Sequence, residues 1–129
     1  MEQFADWKKR HEEELANVGK LLEIPLSDEP ETLWQMLRTI EAYYGRLQYC
    51  VSVSDAYLDI ATAERIPRGK SLTVDEKKAQ TDALCSEERS LRDVIQGYID
   101  SIKQRIMLGQ TRLNYCRDMY VNAPVKHRE

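Results

Sequence analysis

Glycine, proline and phenylalanine are scarce in this chain of 129 residues, at five, four and one. So few turn formers exclude a β-sandwich or barrel, whose strands need turn signals at roughly every ten residues. No apolar run approaches the ~20 residues that cross a bilayer, so no membrane contact is expected. The segment Met1 to Arg10 is charged throughout and lacks the apolar centre of a secretory signal. Histidine is limited to His11 and His127, and Cys50, Cys85 and Cys116 stand at unrelated spacings with no His beside them. That spacing holds neither a zinc site nor a disulfide framework, and an odd cysteine count fits a reducing cytoplasm. Neither a metal nor any other cofactor is expected.

Signatures of catalysis are missing as well. His11-Glu12-Glu13-Glu14-Leu15 begins like a zinc-protease helix, but position 15 is Leu where a second His is required. There is no Glu-x-x-His pair for a di-iron bundle. Gly69-Lys70-Ser71 resembles the end of a phosphate-binding loop, but residue 64, where its first Gly belongs, is Glu. The chain is therefore not expected to be an enzyme.

What is present is charge and helical periodicity. Charged residues make up 32% of the chain, and the formal net charge of −3 hides an uneven distribution. Residues 1–62 hold 12 acids and 6 bases, whereas 63–129 hold 10 acids and 13 bases. A basic half can meet an acidic half of another copy, or it can meet phosphate.

The apolar pattern predicts one all-α domain, an elongated hairpin of two long helices plus an N-terminal helix. Helix one is expected over 1–22, with Phe4, Trp7, Leu15, Val18 and Leu22 on one face. A linker with Pro25 and Pro30 ends it. Helix two is expected over 30–65, capped by Ser27 or Asp28, with Pro30 in its first turn. Its stripe is Leu33, Leu37, Ile40, Tyr44, Leu47, Val51, Ser54, Leu58 and Ala61. The steps alternate four and three without a break, which is a heptad and predicts coiled-coil-like packing. Leu33 to Ala61 would span roughly 43 Å at 1.5 Å per residue.

A basic loop over 66–72 follows, around Pro67 and Gly69. Helix three is expected over 73–121, opening on a Thr73–Glu76 capping box. Its stripe is Leu84, Leu91, Ile95, Tyr98, Ile102, Ile106, Gly109, Leu113, Cys116 and Tyr120. Residues 75–90 are polar and are expected to project beyond the core, with Cys85 on this polar part. The tail 122–129, with Pro124, has no stripe and is expected to fray. Two helices of this length leave apolar surface for helix one and for other copies of the chain to cover, so a homo-oligomer is expected, with the helix-two stripe as its packing surface; a monomeric elongated three-helix bundle is the alternative.

Arg65, Arg68, Lys70, Lys77 and Lys78 gather around the loop and the helix start beside it, and are the candidate nucleic-acid contacts. A solvated loop would carry the same residues. Lys103, Arg105, Arg112 and Arg117 form a second basic group, which can also pair with the acids of helix two. Of seven tyrosines, Tyr43, Tyr49, Tyr57 and Tyr115 fall outside the stripes, where they could stack on bases or fill an interface.

A small, acidic-then-basic helical chain with two long helices about a basic loop resembles the UvsY-type phage recombination mediators. The resemblance covers about residues 50–119. It rests on Ala56-Tyr57-Leu58-Asp59 before the loop and on Asp100-Ser101-Ile102-Lys103-Gln104-Arg105 late in the last helix. Where that family carries a basic pair before the loop, this chain has Asp55 and Tyr57. The resemblance implies a ring-like homo-oligomer that binds single-stranded DNA. It also implies partners, a RecA-like recombinase and a single-strand-binding protein, with Arg65, Arg68 and Lys70 on the DNA. The alternative is a helical interaction or scaffold module without nucleic-acid binding.

Overall fold

The heptad of the second helix finds its partner within the same chain. The computed structural model describes residues 1–66 and 72–121, and among these it contains four helices and no strand. They are α1 (Phe4–Glu23), α2 (Pro30–Arg65), α3 (Val74–Leu84) and α4 (Ser86–Val121). The tail expected from 122 onward lies outside the described residues.

Helices α2 and α4, each of 36 residues, run antiparallel and form most of the core. Leu33, Leu37, Ile40, Leu47 and Val51 are buried, and Tyr44 and Leu58 are half-buried. Leu91, Ile95, Ile99 and Ile102 of α4 are buried with them in one cluster. Each fully buried Leu or Ile contributes about 1.5–3 kcal/mol relative to an exposed one. Gly109 allows the helices to approach closely: a Cβ built there would stand 2.5 Å from Leu37 Cδ2. The stripe offered for assembly is thus largely consumed inside the monomer.

Helix α1 lies along one groove of this hairpin, antiparallel to α2. Trp7, Leu15 and Val18 are its buried residues. The Tyr57 ring lies between Phe4 and Trp7, with centroids at 5.4 and 5.6 Å. Its hydroxyl donates to the Glu2 carbonyl at 2.6 Å, and burial pushes the phenol's pKa up. Tyr57 is therefore core, contrary to its expected place outside it. His11, which stands between Trp7 and Leu15 on this face, tilts against Trp7, and its Nδ1 lies 2.9 Å from the Trp7 carbonyl.

The α2 cap also differs from expectation. Glu29, rather than Ser27 or Asp28, accepts from the amides of Glu31 and Thr32, at 3.2 and 2.7 Å. Ser27 Oγ instead accepts from the Glu29 amide. Its longer stem lets Glu29 reach two of the free amides that open a helix.

The single helix expected over 73–121 is two. Cys85 leaves helical geometry at φ −125° and ψ 34°. A new helix opens at Ser86 with Glu87 and Glu88 in its first turn, where acids suit the helix dipole. The break turns Thr81, Cys85 and Glu88 into the interior and Leu84 outward. The polar stretch therefore packs against the hairpin end instead of projecting from it. At Thr73 one half of the expected capping box is present, its hydroxyl accepting from the Glu76 amide at 3.1 Å; the return bond from the Thr73 amide to the Glu76 carboxylate is not among those of the described residues.

Candidate nucleic-acid interface

The connected end of the hairpin, where α2 finishes and α3 begins, carries the described part of the basic group. Arg65 occupies the last turn of α2, where a cation suits the dipole. Its guanidinium grips Glu88 with two nitrogens, Nη2 to Oε1 at 2.9 Å and Nη1 to Oε2 at 3.1 Å. Nη1 also donates to the Leu84 carbonyl at 3.1 Å, covering an acceptor that the end of α3 leaves free. The Glu88 side chain is only 5% exposed and that of Arg65 is 46% exposed. The bond to Glu88 holds the guanidinium's pKa above its ordinary value. Arg65 is thus first a fixture of the fold, with its outer edge in solvent. A shallow cleft of about 210 Å³ beside it is lined by Phe4, Tyr57, Ile60 and Glu64 among others.

Lys77 and Lys78 are exposed on the first turns of α3, and neither is in an ion pair among the described residues. Asp75, Glu76 and Asp82 share this short helix, so the local field is mixed. Asp82 is engaged by Arg89 at 3.2 Å. Arg68 and Lys70 lie outside the described residues.

In the second basic group, Arg105 and Arg112 are taken up by main-chain oxygens, and no pair with an acid of helix two is present among the described residues. Arg105 donates to the carbonyls of Leu22, at 3.1 Å, and Ile24. Arg112 donates to the carbonyls of Leu26 and Ser27, each at 3.1 Å, with Asp28 at 3.4 Å. These two arginines fasten the end of α1 and the following linker to α4. Arg117 lies 3.8 Å from Asp118, and Lys103 is exposed.

Among the described side chains, the exposed tyrosines Tyr49 and Tyr115 line no cleft with Lys77 or Lys78. Tyr49 lies beside His11, Glu14 and Arg46, and Tyr115 lies near the end of α4. Cys85, expected on a polar surface, is fully buried, Cys50 is buried too, and burial raises the Cys50 thiol pKa. Among the described residues no three His, Cys, Asp or Glu side chains are grouped to hold a metal ion. No helix is long and apolar enough to cross a membrane. Two cross-helix pairs escaped sequence reasoning, Arg46–Glu14 at 2.7 Å and Arg92–Asp55 at 2.9 Å. Asp55 is thus held by Arg92 across the hairpin. Compared with protein-family models, curated proteins and solved structures, the chain matches none.

Proposed function

We propose that this chain is a non-enzymatic helical accessory protein that binds single-stranded DNA through the end of its hairpin. The observation that carries the proposal is the placement of Lys77 and Lys78, exposed and in no ion pair among the described residues, with Lys78 in a shallow cleft beside Asp82, Asp93 and Arg89. They stand on the same end as Arg65, with the Arg68–Lys70 segment between them in sequence. Contact would be electrostatic, by counterion release at phosphates. Base stacking supplies little, because Tyr57 is buried and the exposed tyrosines lie elsewhere. Binding is then tolerant of base sequence and steep in salt. The resemblance to recombination mediators supplies the biological setting, a RecA-like recombinase and a single-strand-binding protein in the cytoplasm.

The test is anisotropy of a labelled single-stranded oligonucleotide titrated across salt concentrations, with duplex as competitor. Four phosphate contacts by Arg68, Lys70, Lys77 and Lys78 give a slope of log K against log salt near about −3 for single strands. The double variant Lys77→Ala/Lys78→Ala should flatten that slope by about 1.4 while leaving helical content unchanged. Arg65→Ala is unsuitable here, because it leaves buried Glu88 unpaired. An absence of binding at low salt would refute the proposal. It would favour the second reading, an interaction module, which is supported by the commitment of Arg65, Arg105 and Arg112 to internal contacts.

A further inference from the structure

The outer face of α4 carries an uncharged strip in a chain that is 32% charged. From Ser90 to Tyr115 the positions recurring at alternate steps of four and three are all exposed, and none is charged. This strip lies on the opposite side of α4 from Ile95, Ile99 and Ile102, which face the core. Val94, Leu108 and Tyr115 are large apolar residues on it, exposed by 47%, 51% and 64%. Such a row is a docking surface in want of a partner that is itself uncharged and matched in shape.

We propose that the partner is a second copy of this chain, with the two α4 strips packed antiparallel about a two-fold axis between Ser101 and Gln104. The strip is self-complementary in that arrangement. Its first half is the smaller, with Ser90, Gly97 and Ser101 around Val94, and its second half the larger, with Gln104, Leu108 and Tyr115 around Thr111. Val94 and Thr111, nearly equal in size, face one another. An antiparallel copy sets Leu108 against Gly97, Tyr115 against Ser90 and Gln104 against Ser101. Gly97 is open to receive a side chain: a Cβ built there meets nothing within 4 Å. A parallel copy would stack Tyr115 on Tyr115 and leave a gap at Gly97.

Charge agrees with the pairing. Asp93 and Asp100 flank the strip, and the same flank continues at seven-residue steps as Met107 and Asn114. Antiparallel helices related by a two-fold bring like flanks together. Asp100 then faces Met107 and Asp93 faces Asn114, so no acid meets an acid. The α2 stripe cannot serve instead, because α4 of the same chain fills it. Of the cations at the hairpin end, Lys78 reaches the edge of the strip, lining a cleft with Ser90 and Asp93, while Gly97 and Leu108 lie further along α4.

Sedimentation velocity and light scattering across protein concentration test the proposal. The full-length chain should reach twice the 15.1 kDa chain mass. Leu108→Glu and, separately, Gly97→Leu should each halve that mass with unchanged circular dichroism. Gly97→Leu is the sharper variant, because it fills open space in the single chain and blocks the pocket for Leu108 of the copy. Ser101→Cys/Gln104→Cys should crosslink the pair under mild oxidation. A chain that stays monomeric at every concentration would overturn the proposal. So would an assembly that survives both variants, or one whose mass exceeds a dimer.

Discussion

Arg65→Ala should destabilise the fold by about 2 kcal/mol, a value that follows from how unequally the two partners are buried. Breaking a fully buried ion pair by removing one partner costs about 3–5 kcal/mol, whereas an exposed pair contributes about 0–1 kcal/mol. Glu88 is on the buried side of that range at 5% exposure, but Arg65 at 46% is half in water. Solvent entering the space left by Arg65 would meet part of the carboxylate's need, which brings the loss to the middle of the range. The hydrogen bond to Leu84 is lost with the same side chain. Urea unfolding followed by circular dichroism measures the change, and a loss of this size lowers the melting temperature by roughly 8 °C in a chain of this length. Replacing both partners by Met should recover most of the loss, since the cost lies in the uncompensated charge and not in the absence of the pair. A cost below about 0.5 kcal/mol for Arg65→Ala would refute the reasoning, because it would place the pair among ordinary surface pairs. Arg65 would then be free to serve a ligand.

Other expectations follow from single atoms. Ser54 Oγ is fully buried in the core without a hydrogen-bond partner, so Ser54→Ala should be stabilising by up to about 1 kcal/mol in the same unfolding assay. Gly109→Ala should destabilise by about 1 kcal/mol. The clash with Leu37 costs about 1–3 kcal/mol and outweighs the roughly 1 kcal/mol gain in helix propensity. The Glu29 carboxyl is held below its ordinary 4.5, first by the Thr32 hydroxyl and then by the amides of Thr32 and Glu31. A depressed acid stabilises the fold above its unfolded value, and that contribution disappears as pH falls through the folded value. Amide shifts of Glu31 and Thr32 in an NMR titration should therefore move at a pH below 4.5 and report fraying of the α2 start.

The α2 stripe was legible because its partner imposes a single period. Leu33 to Ala61 pack on one antiparallel helix, so the seven-residue repeat survives unbroken in the sequence. Tyr57 was not legible from that stripe because α2 has two covered faces. Tyr43, Cys50 and Tyr57 recur every seven residues on a second row toward α1, and that row is half polar. The break at Cys85 was hidden because neither Gly nor Pro makes it. Its only local sign is Ser86-Glu87-Glu88, a set of residues suited to a helix start in the midst of a helical pattern. The basic residues were found, but composition could not assign their use. Arg65 and Glu88 are 23 positions apart, and Arg105 and Arg112 spend their donors on main-chain oxygens, which every sequence possesses.

That last attachment has a consequence for how the chain can vary. The anchors that hold the end of α1 in place are carbonyl groups of Leu22, Ile24, Leu26 and Ser27, and a carbonyl is unchanged when its side chain is exchanged. The linker is therefore free to drift in sequence without loosening, as far as its own packing allows. The burden of identity falls on two distant positions. Arg105 reaches its two acceptors with two different nitrogens, a fork that the single ammonium of Lys does not reproduce, whereas Arg112 makes its contacts through Nη1 alone. A six-residue stretch, Leu22 to Ser27, is thus held through its main chain by two arginines more than 80 residues away.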